Sequence, residues 1–202
     1  MENNIQKLTE LFLQFPGIGE RQAKRFAYFI VTAPTRYTDT LAKKIVEARS
    51  SVHICTECYR IFDGVNTTCA LCQETSRQNG QLLIVEKSTD IDIFLSTPYA
   101  GKFFVLQNLI PIVEKKIVKK TFLEELETRV AKECENGTLK EVILAFPLTP
   151  NGIHTDEVVR ERLRKITGNS FPITSLGRGL SFGTEIEYAD QYSLSASLEK
   201  RQ

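Results

Sequence analysis

Four of the five cysteines in this chain stand as two pairs, Cys55-Thr-Glu-Cys58 and Cys69-Ala-Leu-Cys72, with residues 59–68 between them. Each Cys-x-x-Cys brings two sulfurs to one turn of backbone. Two such knuckles face to face supply four thiolates, the tetrahedral donor set that Zn²⁺ takes at about 2.3 Å per Zn–S bond. Residues 59–66 read as a short strand and a turn that would return the second knuckle to the first. A thioredoxin-like redox site would use a single Cys-x-x-Cys opening a helix within a βαβ unit, a context this stretch lacks. Two structural disulfides would suit a secreted chain, and Met1-Glu2-Asn3-Asn4 has neither the basic start nor the apolar run of a signal peptide. The expectation is one structural zinc ion on Cys55, Cys58, Cys69 and Cys72. Four sulfur ligands leave no open position for catalysis.

A second group of residues lies near the start. Apolar residues at helical spacing predict a helix over 5–15, which Pro16-Gly17-Ile18-Gly19 stops, and a second helix over 20–32. The product is a helix-hairpin-helix pattern. Gly17 and Gly19 would let backbone amides approach a phosphate, and the start of the second helix aims free N–H groups and a positive dipole at it. Arg21 and Arg25, four apart, share a face of that helix, with Lys24 beside them. Contacts of this kind read phosphate rather than bases, so they predict sequence-independent DNA binding. The same residues would equally serve a hairpin whose glycines only cap and turn and whose cations are merely solvated. The segment alone leaves both open.

The elements that position a third site follow the cysteines. Apolar runs predict strands at 81–86, 103–106, 141–146 and 173–176, and helices at 121–135 and 155–166, with a helical piece from about residue 88. Another helix is expected over 35–51. Strands alternating with helices argue a parallel α/β sheet, whose ligands sit at the carboxyl ends of the strands, where Glu86 lies. Charges on the 121–135 helix are expected on its solvated face. Cys134 is expected to be a small half-buried residue, and His53 and His154 to be solvated or structural.

Composition bounds the rest. Of 202 residues, 42% are hydrophobic and the formal net charge is +1, which fits a soluble globular chain with no global basic surplus. No apolar stretch reaches the roughly 20 residues of a membrane span. The clustered metal-type cysteines suit a reducing cytoplasm, the expected location.

The order of these parts resembles the RecR family of bacterial recombination mediators, nearly end to end. The resemblance is carried by Phe15-Pro-Gly-Ile-Gly-Glu-Arg-Gln-Ala-Lys-Arg25, the cysteine pairs, Ile84-Val-Glu-Lys-Ser-Thr-Asp90, Glu141-Val-Ile-Leu-Ala145 and the stretch from Leu176 to Asp190. It implies a helix-hairpin-helix DNA-binding domain over 1–53, a four-cysteine zinc module over 54–76, a Toprim domain over 77–175 and a C-terminal segment, 176–202, that completes the sheet and makes subunit contacts. It implies a non-enzymatic DNA clamp that works with RecO, and in many bacteria RecF, to load RecA on single-stranded DNA coated by SSB. Family members form homo-oligomeric rings of four subunits. The family's hairpin cations fall on Arg21 and Arg25, its Toprim glutamate on Glu86, and its partner-contacting acids on Asp90 and Asp92.

The chain departs from the family at Leu106-Gln-Asn-Leu-Ile-Pro111 and at Asn151-Gly152-Ile153-His154. The alternative reading is a metal-dependent Toprim nuclease or primase. Such an enzyme needs an Asp-x-Asp pair at the next strand end to hold Mg²⁺, and the strand over 141–146 runs into Pro147-Leu148-Thr149 instead. A third reading is a zinc-stabilised interaction module that never touches DNA.

Overall fold

The computed structural model describes residues 3–113, 120–177, 183, 185–189 and 191–199, and the chain divides into two compact units, 1–52 and 53–202. The first unit is three helices, α1 (Asn4–Leu13), α2 (Glu20–Thr32) and α3 (Thr35–Ser51). Asn3 caps α1, its side chain accepting from the N–H of Ile5 at 3.0 Å. Helices α1 and α2 pack through Phe12 and Phe26, whose rings meet edge-on at 5.8 Å, and through Ala23 and Ala27, which are fully buried. Neither α1 nor α3 buries a residue completely.

The second unit is built on four parallel strands in the order β4-β3-β5-β6, with β3 (Gln81–Val85), β4 (Lys102–Val105), β5 (Glu141–Ala145) and β6 (Ile173–Ser175). Register pairs Ile84 with Phe104 on one side and with Leu144 on the other. The twofold alternation of a strand then divides the apolar run between two faces. Leu82, Ile84, Phe104, Val142 and Leu144 pack with Leu126 and Val130 of α6 (Leu123–Glu135) and with Val159 and Leu163 of α7 (Pro150–Thr167). Leu83, Val85, Phe103 and Val105 face the other way, onto Ile91 of α5 (Ser88–Phe94).

Helix α7 begins five residues before the expected start at 155. Thr149 is its N-cap, accepting from the N–H of Gly152 at 3.2 Å, and Pro150 opens the first turn. A Cβ on Gly152 would stand 1.9 Å from the carbonyl oxygen of Pro147, so the glycine is required by close approach rather than by a loop. Beyond β6 the described residues hold a 3₁₀ turn (Ile186–Tyr188) and α8 (Gln191–Glu199), and no strand among them joins the sheet of this chain. Of the stretch 176–190 that carries the resemblance, residues 178–182, 184 and 190 lie outside the described residues.

After α3 the chain forms a two-stranded ribbon, β1 (Val52–Ile54) and β2 (Ile61–Asp63), followed by the four-residue helix α4 (Ala70–Gln73). The ribbon frames the first cysteine knuckle. Cys69 is the N-cap of α4, and Cys72 lies within it.

Candidate metal centre and nucleic-acid interface

The four cysteines converge. Their sulfurs all lie within 4.8 Å of one another, and Cys55, Cys58 and Cys69 are buried. The Sγ atoms of Cys58 and Cys69 are 3.6 Å apart and those of Cys55 and Cys72 3.8 Å. A regular tetrahedron with bonds of about 2.3 Å has sulfur–sulfur edges of about 3.8 Å. A disulfide would need about 2.05 Å, and all four are free thiols. The donor set and spacing fit a four-coordinate metal ion.

Local hydrogen bonds shape the site. The N–H of Cys55 donates to the carbonyl of Arg60 at 2.9 Å, that of Tyr59 to Cys55 at 3.0 Å, and that of Cys72 to Cys69 at 3.1 Å. The two knuckles are tied by Thr56 N–H to the carbonyl of Thr67 at 3.0 Å. The N–H of Cys69 also points at the sulfur of Cys55, 3.3 Å away. Tyr59 closes the first knuckle with a left-handed φ of 59°, an uncommon state for a residue with a side chain. Its ring packs on Phe122 at 4.5 Å and Phe104 at 5.2 Å, contacts that hold the conformation in place. Hydrogen bonding among the four crowded sulfurs splits their acidities, pushing the Cys55 thiol down and the Cys72 thiol up. Sulfurs so crowded cannot all ionise unless a cation lies among them.

One residue near this centre runs against expectation. Arg129, on α6, is 8% exposed rather than solvated. Its Nη1 donates to the carbonyl of Glu57 at 2.8 Å and to that of Phe103 at 3.0 Å, and its Nε to Glu133 at 3.2 Å. The available signal was its place at i+3 from buried Leu126 and next to buried Val130, within the apolar stripe. Cys134 is half-buried, as expected.

In the first unit, Gly17 takes φ +77°, which requires glycine, whereas Gly19 is extended at φ −91° and caps α2 without a side chain. A Cβ on Gly19 would meet nothing within 4 Å. The first N–H groups of α2 to find a backbone partner are those of Gln22 and Ala23, both on the carbonyl of Gly19. The amides of Gly19, Glu20 and Arg21 therefore face solvent at the positive end of the helix. Arg21, Lys24 and Arg25 are exposed, and no ion pair among the described residues engages them.

At the sheet, Glu86 follows β3 directly, its Oε1 3.3 Å from the Lys87 ammonium. Asp90 is occupied locally, accepting from the N–H of Lys87 at 2.8 Å as part of a capping box, while Asp92 is exposed. Beyond β5 the carboxyl-end crevice is lined by Phe146, Pro147, Leu148, Ile153 and Leu176. The carboxylate reaching it, Asp156, is held by Arg160 at 3.0 Å and by the Ser175 hydroxyl at 2.6 Å. Among the described residues, metal-binding side chains gather at the four cysteines and not around Glu86.

These parts have counterparts in known proteins. The chain is 33% identical over 198 residues to the recombination protein RecR of Lacticaseibacillus casei, covering 98% of this chain and 96% of that one. It is 32% identical to RecR of Syntrophomonas wolfei, covering 98% and 95%, and 33% identical to RecR of Dehalococcoides mccartyi, covering 98% and 93%. The chain belongs to the RecR family. The family model for the RecR C-terminal region matches residues 179–202. The RecR likeness thus spans the helical unit, the cysteine cluster and the parallel sheet alike. No helix among the described residues is long and apolar enough to cross a membrane.

Proposed function

We propose that the chain is a non-enzymatic, DNA-binding clamp and recombination mediator in recombinational repair, which acts with RecO (and, as in many bacteria, RecF) to promote RecA loading on SSB-coated single-stranded DNA. Membership of a family of recombination proteins supports the process. The observation that carries the molecular reading is the hairpin: open amides at the start of α2 beside three exposed cations, Arg21, Lys24 and Arg25, that no ion pair among the described residues engages. That arrangement takes a phosphate without reading its base. The acids Glu86 and Asp92, with Asp90 as the cap that shapes their segment, are the surface assigned to RecO. We assign the clamp to the cytoplasm, as a dimer or ring-shaped tetramer.

The ion of the four-cysteine site is zinc in this reading, since four thiolates in a closed tetrahedron suit Zn²⁺ and leave no site for oxygen-loving Mg²⁺. When bound it supplies a four-sulfur cross-link between the knuckles. Cys55, Cys58, Cys69 and Cys72 hold it, and the ribbon and α4 orient them.

Binding to unrelated DNA sequences, measured across salt concentrations, tests the clamp. Affinity should fall steeply with salt, and Arg21→Glu with Arg25→Glu should reduce the log–log slope by about 1.4–1.8 or more, the share of two phosphate contacts. Binding that survives the double reversal would remove the hairpin from the interface. The enzymatic alternative is tested by labelled DNA in Mg²⁺ or Mn²⁺. The apolar end of β5 predicts neither cleavage nor synthesis, and activity abolished by Glu86→Ala would overturn that.

A further inference from the structure

We propose that Arg129 is a positioning residue for the metal centre: it holds the first cysteine knuckle in metal-ready shape by fastening it to the outer edge of the parallel sheet. The inference rests on the four thiolates holding zinc, as proposed above.

Strand β4 is the edge of the sheet. Alternate residues of a parallel strand turn both backbone groups to the same side, and the N–H of Leu106 donates to the carbonyl of Val85 in β3 at 2.9 Å, which puts Phe104 and Lys102 on the β3 side as well. The outward groups are then those of Phe103 and Val105. A free edge of this kind is a liability that proteins cover. Here the knuckle covers it. The N–H of Val105 donates to the carbonyl of Cys58, a metal ligand, at 2.8 Å. The carbonyl of Phe103 accepts from Nη1 of Arg129 at 3.0 Å, and the same nitrogen reaches the carbonyl of Glu57, the residue before that ligand, at 2.8 Å. One guanidinium nitrogen thus joins the knuckle to the strand.

The guanidinium is itself fixed. Glu133 takes its Nε at 3.2 Å and is shared with Lys102 at 3.3 Å. A third tie, from the N–H of Ile61 to the Ser88 hydroxyl at 2.9 Å, anchors the chain as it leaves the knuckle. Backbone on both sides of Cys58 is therefore pinned to the α/β unit by bonds that involve no sulfur. Groups that orient metal ligands in this way raise affinity by preorganisation, and losing one typically costs about 10–100-fold. By reciprocity, a metal that prefers the pinned knuckle also stabilises the pinned edge.

The test is zinc release into a chromogenic chelator, 4-(2-pyridylazo)resorcinol, well below the melting temperature of every variant. Arg129→Met keeps the buried stem and removes the donors, and it should release zinc about tenfold faster or more. Leu163→Ala, on α7 and fully buried, weakens the same core without touching a knuckle hydrogen bond. It should lower the melting temperature and leave the release rate as in the parent chain. Should Arg129→Met fail to fold, Arg129→Lys retains the charge but lacks the planar fork that spans carbonyl and carboxylate, and should also release faster than the parent. Cobalt-substituted Arg129→Met should keep the visible spectrum of a tetrahedral thiolate site, because all four sulfurs remain. Release at the parent rate from the Arg129 variants, or equal acceleration by Leu163→Ala, overturns the positioning role. A parent chain purified without zinc overturns the metal reading instead, and the two failures are distinct.

Discussion

Gly17 and Gly19 do different work in the hairpin although one residue separates them. Gly17 is needed for its left-handed backbone, whereas the extended backbone of Gly19 would suit many residues. What Gly19 leaves out is a side chain in front of open amides. Serine there is a better N-cap than glycine, because its oxygen can accept from the N–H of the second or third helical residue. Gly19→Ser is therefore expected to hold or slightly raise thermal stability while weakening DNA binding, by occupying the amides a phosphate would take. Gly17→Ala should instead lower stability by about 1 kcal/mol or more, since alanine is strained at this φ. Melting curves and DNA titrations of both variants check the pair. A Gly19→Ser chain that binds DNA like the parent would reduce the glycine to a turn residue. The sequence made both glycines legible but not their division of labour, since only the φ of each position separates them. Arg129 was legible still less. Its partner carbonyl at Glu57 lies 72 residues away, beyond any local periodicity.

At the scale of elements, hydrophobic pattern located the sheet well because β3 and β4 are buried on both faces and β5 keeps a buried face of alternating apolar residues. The expected runs at 81–86, 103–106, 141–146 and 173–176 correspond to β3, β4, β5 and β6 within two residues. Pattern failed where a backbone contact decides the outcome. The start of α7 at Pro150 depends on the approach of Gly152 to Pro147, and β1 is only three residues, Val52-His53-Ile54, all of them exposed. The edge position of β4 was likewise not readable from its sequence, though it decides what the cysteine module does. With the knuckle seated, the Val105 amide is bonded to Cys58. Chelating the metal should unseat the knuckle and free that amide. One hydrogen bond is worth about 1 kcal/mol net, so hydrogen exchange at Val105 should accelerate several-fold at least, while Ile84 in the central strand stays protected. An unaltered Val105 amide in the metal-free chain would show that the knuckle keeps its seat without metal. The freed edge also predicts aggregation of the metal-free protein, seen as rising light scattering.

At the scale of the whole molecule, the helical unit taken by itself leaves much apolar surface uncovered. Domains of about 60 residues are marginal even when well packed. This one, over 1–52, fully buries Ala23 and Ala27 and leaves Phe29 at 56%, Ile45 at 61% and Val46 at 69% exposure. A groove of about 470 Å³ between its helices is lined mostly by apolar and aromatic residues, among them Phe12, Phe26, Phe29 and Leu41, together with Gln22 and Arg25. Exposed apolar side chains at helical spacing mark a surface built to meet another surface. The homo-oligomer proposed above would supply it, each copy covering the other through the same patch. Light scattering at micromolar concentration should then give a mass above that of the 22.9 kDa chain. Val46→Glu, at an exposed position where a lone chain would tolerate it, should shift that mass downward and lower the melting temperature together. DNA binding should weaken as well, because a clamp joins its hairpin contacts through its subunits and loses the gain of linked sites when they part. A parent chain that is monomeric under these conditions would remove the clamp, while leaving the phosphate-binding hairpin to be judged by its own substitutions.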